Sequence, residues 1–402
     1  MHFHANLRHL AALSAISRLG SINKAADSVH ISQSALTQGL SKIEKELGVS
    51  LFDRSATGMY PTSAGNVLLS RLDRAFQHFN SIEKELLADK RPRQAIHLSF
   101  SNSQLRAVIA AVDERNISLA ARKLSLAQPT VQRAVREVES ICERQLFVRS
   151  ATGVEPTQLA RQLAQSSSLA FAEIQSGADE VHETKGLFRG ELRIGSLPLA
   201  RTDLVPATVT EVLQRFPSLK VSIIDGPYEE LLHGLTHGKI DLILGALRKD
   251  VPSRNLLQET LFEDSLSVIV RKNHPLLTKN NRAFSFKTLS TMDWIAPRTQ
   301  TPARLRFQEI FASHKIDEPD HIIECSSSVA IRGLLLRSDR LALLSKRQVQ
   351  LDIESGILAV LPMEFKRSAR AIGVTTRKDW RPTAGQQHYL DIVRKACATS
   401  NQ

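Results

Sequence analysis

The chain has 402 residues, 42% of them hydrophobic, enough for two or three packed cores, and three cysteines too widely spaced for a disulfide framework or a metal site. A formal charge of +12 sets up a positive field that favours polyanionic partners, nucleic acid ahead of anionic membrane. No run of about 18 apolar residues occurs, and Met1-His2-Phe3-His4 lacks a basic-then-apolar leader, so neither a membrane anchor nor export is expected and a cytoplasmic location is.

Leu7, Leu10, Leu13, Ile16 and Leu19 form one helical face. Ser21 can cap a short second helix in which Ala25-Ala26 allow close approach, and Ser32 a third, whose stripe is Leu36, Leu40, Ile43 and Leu47 and whose end is Gly48. Two short helices joined by a tight turn, the second polar at its outer start, predict a helix-turn-helix. Leu51–Thr62 reads as a hairpin with Gly58 near its tip, which adds a wing. Beyond it Leu68, Leu72, Ala75, Phe79, Ile82 and Leu86 make a heptad seam that requires a partner helix, so Leu68, Leu72, Phe79, Ile82 and Leu86 are expected to dimerise the protein. The run Lys90-Arg91-Pro92-Arg93 reads as a solvated linker.

The segment Arg54-Ser55-Ala56-Thr57-Gly58 then returns as Arg149-Ser150-Ala151-Thr152-Gly153, at a spacing of 149 − 54 = 95 positions. At the same offset Leu10 meets Leu105, Gln33 meets Gln128, Glu44 meets Glu139, Phe52 meets Phe147 and Pro61-Thr62 meets Pro156-Thr157. A repeat this long and present only twice is a duplicated module, not a solenoid. The second seam, Leu163, Ser167, Ala170, Ile174, Gly177 and Val181, is interrupted by a hydroxyl and a glycine, so the first helix is expected to dominate dimerisation. The second copy also lacks the cap (Ala127), the helix-ending glycine (Glu143) and the glycine at the Gly65 position (Ala160), which points to a degenerate module. Against that stand Pro129 at a first helical turn and the added charges Arg133 and Arg136.

After Gly186 the periodicity changes to alternating strands and helices. Strands near 191–195, 219–224 and 241–245 and a second cluster from Trp294 onward predict two α/β lobes joined by strands near 262–271 and 368–376, with a ligand cleft between them. The expected division is 1–63 and 103–158 for the two winged modules, 64–90 and 159–186 for their linker helices, 91–102 for a connection, and 190–402 for the α/β domain. Its lobe I would comprise about 190–265 and 370–402, and its lobe II about 266–369.

The segment Ser32-Gln33-Ser34-Ala35-Leu36-Thr37-Gln38, with Leu40, Ile43-Glu44, Glu46-Leu47-Gly48, Leu51-Phe52, Arg54 and Pro61-Thr62-Ser63-Ala64-Gly65, resembles the winged helix-turn-helix of LysR-type transcriptional regulators. Ala127–Glu139 followed by Gln145-Leu146-Phe147-Val148-Arg149 resembles it a second time, and residues 190–402 resemble the family's periplasmic-binding-protein-like effector domain. The resemblance implies a sequence-specific transcriptional regulator that binds double-stranded promoter DNA as a homodimer or homotetramer and answers to a small-molecule inducer. The duplication departs from the family's single module per chain.

On that basis the first recognition helix is expected to offer Gln33, Ser34, Thr37, Gln38 and Lys42 to bases, and the second Gln128, Thr130, Gln132, Arg133 and Arg136, while Arg54 and Arg149 hold phosphates from the wings. In the α/β domain Ser196, Leu197, Pro198 and Arg201, Gly245 and Ala246, and Thr299 and Thr301 end strands or open helices at the cleft and are the expected effector contacts. A carboxylated or sugar-like inducer would suit them. No nucleophile elbow, phosphate loop or metal spacing is present, so neither catalysis nor a cofactor is expected. The rival reading is an architectural protein that bridges DNA with four modules per dimer around a passive α/β scaffold.

Overall fold

The computed structural model describes residues 3, 5–87, 95–151, 153–250, 253–278, 285–363, 365 and 369–399. The basic run at 90–93 lies outside them. The chain forms two compact units, one of residues up to Glu191 and one from Leu192 onward, with the short stretches 218–220 and 236–239 grouped with the first.

In the first unit, α1 (Leu7–Leu19), α2 (Ile22–Ser28) and α3 (Gln33–Leu47) are followed by the antiparallel hairpin β1 (Phe52–Ser55) and β2 (Gly58–Pro61) and by the long helix α4 (Ser63–Leu87). The same order returns as α5 (Asn102–Glu114), α6 (Ile117–Leu124), α7 (Gln128–Cys142), β3 (Phe147–Ser150), β4 (Gly153–Pro156) and α8 (Gln158–Glu183). The conserved spacing has a physical origin in backbone contacts. Glu44 Oε1 accepts from the Leu51 backbone N–H at 2.7 Å, and Glu139 Oε1 from Leu146 at 2.8 Å, so each recognition helix pins the start of its own hairpin. Gly58 (φ +145°) and Gly153 (φ +151°) bring the wing tip against the end of the first helix, where a Cβ would lie 2.8 Å from Gly20 O or 2.5 Å from Arg115 O. Only glycine tolerates both that dihedral and that approach.

At the third helix local signals favour the first copy, as its sequence suggests. Asn6, Ser21 and Ser32 cap α1, α2 and α3, and Gly20 and Gly48 end α1 and α3 in the left-handed region. In the second copy Ala127 supplies no cap to α7, and Glu143 takes the left-handed conformation (φ 49°) that Gly48 takes in the first. The copy folds nonetheless, held by a core that includes Leu105, Val108, Val131, Val135 and Val138. Ala127→Ser and Glu143→Gly are each expected to stabilise this copy by about 1 kcal/mol, seen as a higher urea midpoint with unchanged slope.

The α4 seam packs within its own chain. Leu68, Leu72, Phe79, Ile82 and Leu86 are all buried, and α4 packs along α8 of the same chain. The seam needs a partner helix, and the duplication supplies one internally, so the expected dimerisation surface is already covered.

A short 3₁₀ turn at Ile96–Leu98 leads into the second copy and places His97 on Phe76, with ring centroids 4.6 Å apart. Burial pushes the His97 pKa down to about 4, and its Nδ1 has no hydrogen-bond partner. The unfolded chain therefore takes up a proton near pH 6.5 that the folded chain refuses. Stability is complete above pH 6.5 and is lost as pH falls toward 4, by up to about 3 kcal/mol. His97→Phe should remove that component, measured as the difference in unfolding free energy between pH 7.5 and pH 4.5 in variant and parent.

The second unit contains, among the described residues, two five-stranded sheets. One joins β5 (Glu191–Ser196), β6 (Lys220–Asp225), β7 (Leu242–Ala246), β8 (Leu256–Asp264) and β14 (Arg370–Arg377) in the order β6-β5-β7-β14-β8, with helices α9 (Pro198–Thr202), α10 (Leu204–Arg215), α11 (Tyr228–Thr236) and the terminal α17 (Ala384–Thr399). The other joins β9 (Leu266–Arg271), β10 (Trp294–Ala296), β11 (Ile322–Glu324), β12 (Leu341–Ser345) and β13 (Leu358–Val360) in the order β11-β10-β12-β9-β13. Its helices are α12 (Pro275–Thr278), α13 (Phe286–Ser290), α14 (Pro302–Ser313), α15 (Ser328–Arg337) and α16 (Gln350–Glu354). The chain passes between the sheets at Ser265 and returns at the start of β14. In the second sheet Trp294 packs edge to face with Phe307 at 5.2 Å and Phe311 at 5.7 Å, and Trp294 Nε1 donates to Leu289 O at 2.8 Å.

Candidate DNA-reading faces and effector cavity

On α3 the buried stripe Leu36, Leu40, Ile43 and Leu47 turns Gln33, Ser34, Gln38 and Lys42 outward, with Thr37 half-buried. Gly39 lets α1 cross closely: a Cβ there would lie 2.7 Å from Nδ1 of His9, whose pKa is held below the ordinary value by burial and by Lys42. On α7, Val131, Val135 and Val138 point inward, so Gln128, Thr130, Arg133 and Arg136 are exposed and Gln132 half-buried. Arg54 and Arg149 stand exposed on the two hairpins.

The two faces differ in how far they are committed to local bonds. Gln33 Nε2 donates to Thr37 Oγ1 at 3.3 Å, Ser34 shares a 3.1 Å bond with the cap Ser32, and Gln128 Oε1 accepts from Ser118 at 3.0 Å. Lys42, Arg54, Arg133, Arg136 and Arg149 make no ion pair among the described residues. Uncommitted cations on an exposed helix face and on a neighbouring hairpin are the arrangement that phosphates and guanine edges satisfy.

In the second unit a cavity of about 590 Å³ opens between the two sheets, within the size range of small-molecule sites. Leu197, Pro198, Arg201, Ala246 and Thr301 line it, as expected from their positions. Ser196, Gly245 and Thr299 do not. Ser196 is fully buried behind the wall, its hydroxyl unpartnered. Gly245 (φ +145°) gives its space to Leu197, whose Cβ lies 2.4 Å from where a glycine Cβ would be. The Thr299 N–H donates to Glu324 at 3.1 Å.

Of the arginines in the lining, the sequence places Arg201 and, at the end of the strand Gly245-Ala246-Leu247-Arg248, Arg248 at the cleft, but not Arg298 or Arg370. Arg248, Arg298 and Arg370 join Arg201 on the cavity wall, and of the carboxylates Asp225 alone is there among the described residues. Arg201 pairs with Asp225 at 3.3 Å and Arg370 with Asp264 at 3.2 Å. Arg248 makes no ion pair among the described residues; its guanidinium lies 4.2 Å from the centroid of Tyr228, and burial pushes its pKa down against the opposing pull of Tyr228 and Glu229. The Tyr228 hydroxyl is buried without a partner. The N-termini of α14, capped by Thr301, and of α15, capped by Ser327, open onto the same space and add positive partial charge.

Helix-hairpin units with cationic reading faces, together with a two-sheet receptor around a cavity, define a ligand-responsive DNA-binding protein. The comparisons with known proteins agree. Residues 7–66 and 103–161 each match the model of bacterial regulatory helix-turn-helix proteins of the lysR family, and residues 185–398 match the LysR substrate binding domain. The chain therefore belongs to the LysR family of transcriptional regulators. It is 30% identical over 372 residues to the HTH-type transcriptional regulator GalR of Pseudomonas putida, covering 92% of each chain. It is 27% identical to the uncharacterized regulator YdcI of Escherichia coli over 73% of this chain and 94% of that one. The crystal structure of CbnR, a LysR family transcriptional regulator, has the same fold at 17% identity and a TM-score of 0.50, covering 73% of this chain and 98% of that one. The α/β part is thus an effector-binding domain and not a passive scaffold, and these relatives regulate transcription and are not enzymes.

Proposed function

We propose that α3 and α7 are both recognition helices of winged helix-turn-helix modules that enter the major groove of double-stranded promoter DNA. Gln33, Ser34, Thr37, Gln38 and Lys42 would read one stretch, Gln128, Thr130, Gln132, Arg133 and Arg136 another, and Arg54 and Arg149 would hold phosphates. The uncommitted basic residues on both faces carry this reading. The inducer is a small anion, because Arg248 is a half-buried cation that makes no ion pair among the described residues and lies beside two helix N-termini. The regulator works in the cytoplasm, where promoter DNA is. Assembly into a homodimer or homotetramer uses surfaces other than the α4 seam, which α8 already occupies.

The test is DNA affinity of full-length protein for fragments recovered by genomic footprinting. Gln38→Ala with Lys42→Ala, and separately Arg133→Ala with Arg136→Ala, are expected to lose about 10- to 100-fold in specific affinity, with unchanged thermal unfolding. Unchanged affinity in both pairs would remove the assignment.

A further inference from the structure

The pairing of α4 with α8 is asymmetric in a way that selects unlike partners. Arg71, buried on α4, donates from Nη1 to Glu173 at 2.8 Å and from Nη2 to Glu180 at 2.5 Å, while Arg74 reaches the other oxygen of Glu173 at 2.9 Å. Room for Arg71 comes from Gly177: a Cβ on that residue would lie 2.9 Å from Arg71 Cβ and 3.0 Å from Leu68 Cδ1. Leu68 and Arg71, near the start of α4, meet residues near the end of α8, and Lys185, just beyond α8, donates to Gly48 O in the first copy. The helices therefore run antiparallel.

Shifting by the repeat spacing shows what like-with-like pairing would bring together. The first-copy counterparts of Glu173, Gly177 and Glu180 are His78, Ile82 and Glu85, and the second-copy counterpart of Arg71 is Ser166. An α4–α4 pair would drive Ile82 into the space where even a methyl group crowds Arg71. An α8–α8 pair would bury Glu173 and Glu180 against Ser166 with no cation. Both like pairs are penalised and the unlike pair is not, which is how a sequence encodes partner choice. An antiparallel pair of equivalent helices also places the modules attached to their starts at opposite ends.

We infer that one chain is a complete two-module DNA reader: α4 and α8 join its own unlike modules into an asymmetric pair, so a single chain reads a bipartite, non-palindromic site. The inference rests on the reading of α3 and α7 as recognition helices. The two halves of the site differ because the faces differ, Gln38, Ser41 and Lys42 on one and Arg133, Arg136 and Glu137 on the other.

Selection of bound duplexes from a random-sequence pool by the full-length protein tests it. The expected motif has two unlike halves. Arg133→Ala with Arg136→Ala should reduce enrichment of one half about tenfold or more and leave the other intact, and Gln38→Ala with Lys42→Ala should do the reverse. A palindromic motif, or a motif with one half only, would overturn the pairing proposal while leaving DNA reading in place; no enrichment at all would remove DNA reading itself. Whether the pair forms within one chain is read separately. Arg71→Cys with Gly177→Cys, made together with Glu173→Gln and Glu180→Gln so that no buried carboxylate is stranded, needs only a small parting of the helices to take the 2.9 Å Cβ separation to the roughly 3.5–4.5 Å of a disulfide, and oxidation should give a cross-linked band of monomer mass on a denaturing gel. A dimer-mass band would overturn the single-chain assignment.

Discussion

Arg71→Ala is expected to destabilise the first unit by about 3–5 kcal/mol, because it strands Glu173 and Glu180 in the α4–α8 interface without their cation. Burial works against the Arg71 charge, yet hydrogen bonds to Glu180 and Glu173 hold its pKa above the ordinary value. On the other side Arg74 and Arg71 overcome burial and hold the Glu173 carboxyl below its ordinary value. The cluster is thus mutually dependent, and deleting one member costs more than deleting all. Arg71→Met with Glu173→Leu and Glu180→Leu should be close to neutral or stabilising. Urea unfolding of the three proteins decides the matter: equal losses in single and triple variants would mean that the interface is held by apolar packing alone.

Arg248→Met should lower affinity for an anionic effector by two to three decades, about 3–4 kcal/mol, and leave the folded protein as stable as before or more so. The guanidinium is already stripped of part of its water, a cost that Tyr228 and Glu229 offset in part and a bound anion would offset further, so its removal relieves that cost. Calorimetric titration with a panel of small carboxylates and their amide analogues measures the change. Parent protein should bind one or more carboxylates and no amide, and the variant neither; carboxylate affinity that survives Arg248→Met would move the anion site elsewhere.

The winged modules were legible because their information is local. Ser21, Ser32, Gly48 and Gly58 each act within a turn or two, and the spacing of 95 positions repeats those signals with Glu44 and Glu139 in register. The partner of the α4 seam was not legible. Arg71, Glu173 and Glu180 look like solvated helix charges in sequence, and Gly177 looks like a defect in a heptad pattern, whereas in space the glycine makes the groove that the arginine fills. The cavity between the two sheets was legible only in outline. Reading the strand ends placed Leu197, Pro198, Ala246 and Thr301 at positions that line the cavity. Ser196 and Gly245, close by on the same two strands, fall behind the wall, since neighbouring strand residues alternate in direction. Tyr228, Arg298, Arg370 and the start of α15 come from separate parts of the chain, and nothing in their spacing links them.

The central claim is that two unlike modules of this chain each read DNA. Full-length protein carrying a hydroxyl-radical-generating chelate at Gln38→Cys or Arg133→Cys, on a Cys325→Ser background because Cys142 and Cys397 are buried, reports where each helix lies on an operator. Two separate cleavage segments on the same operator, one from each position, are expected. Cleavage from residue 38 alone, or overlapping segments from both, would contradict the claim.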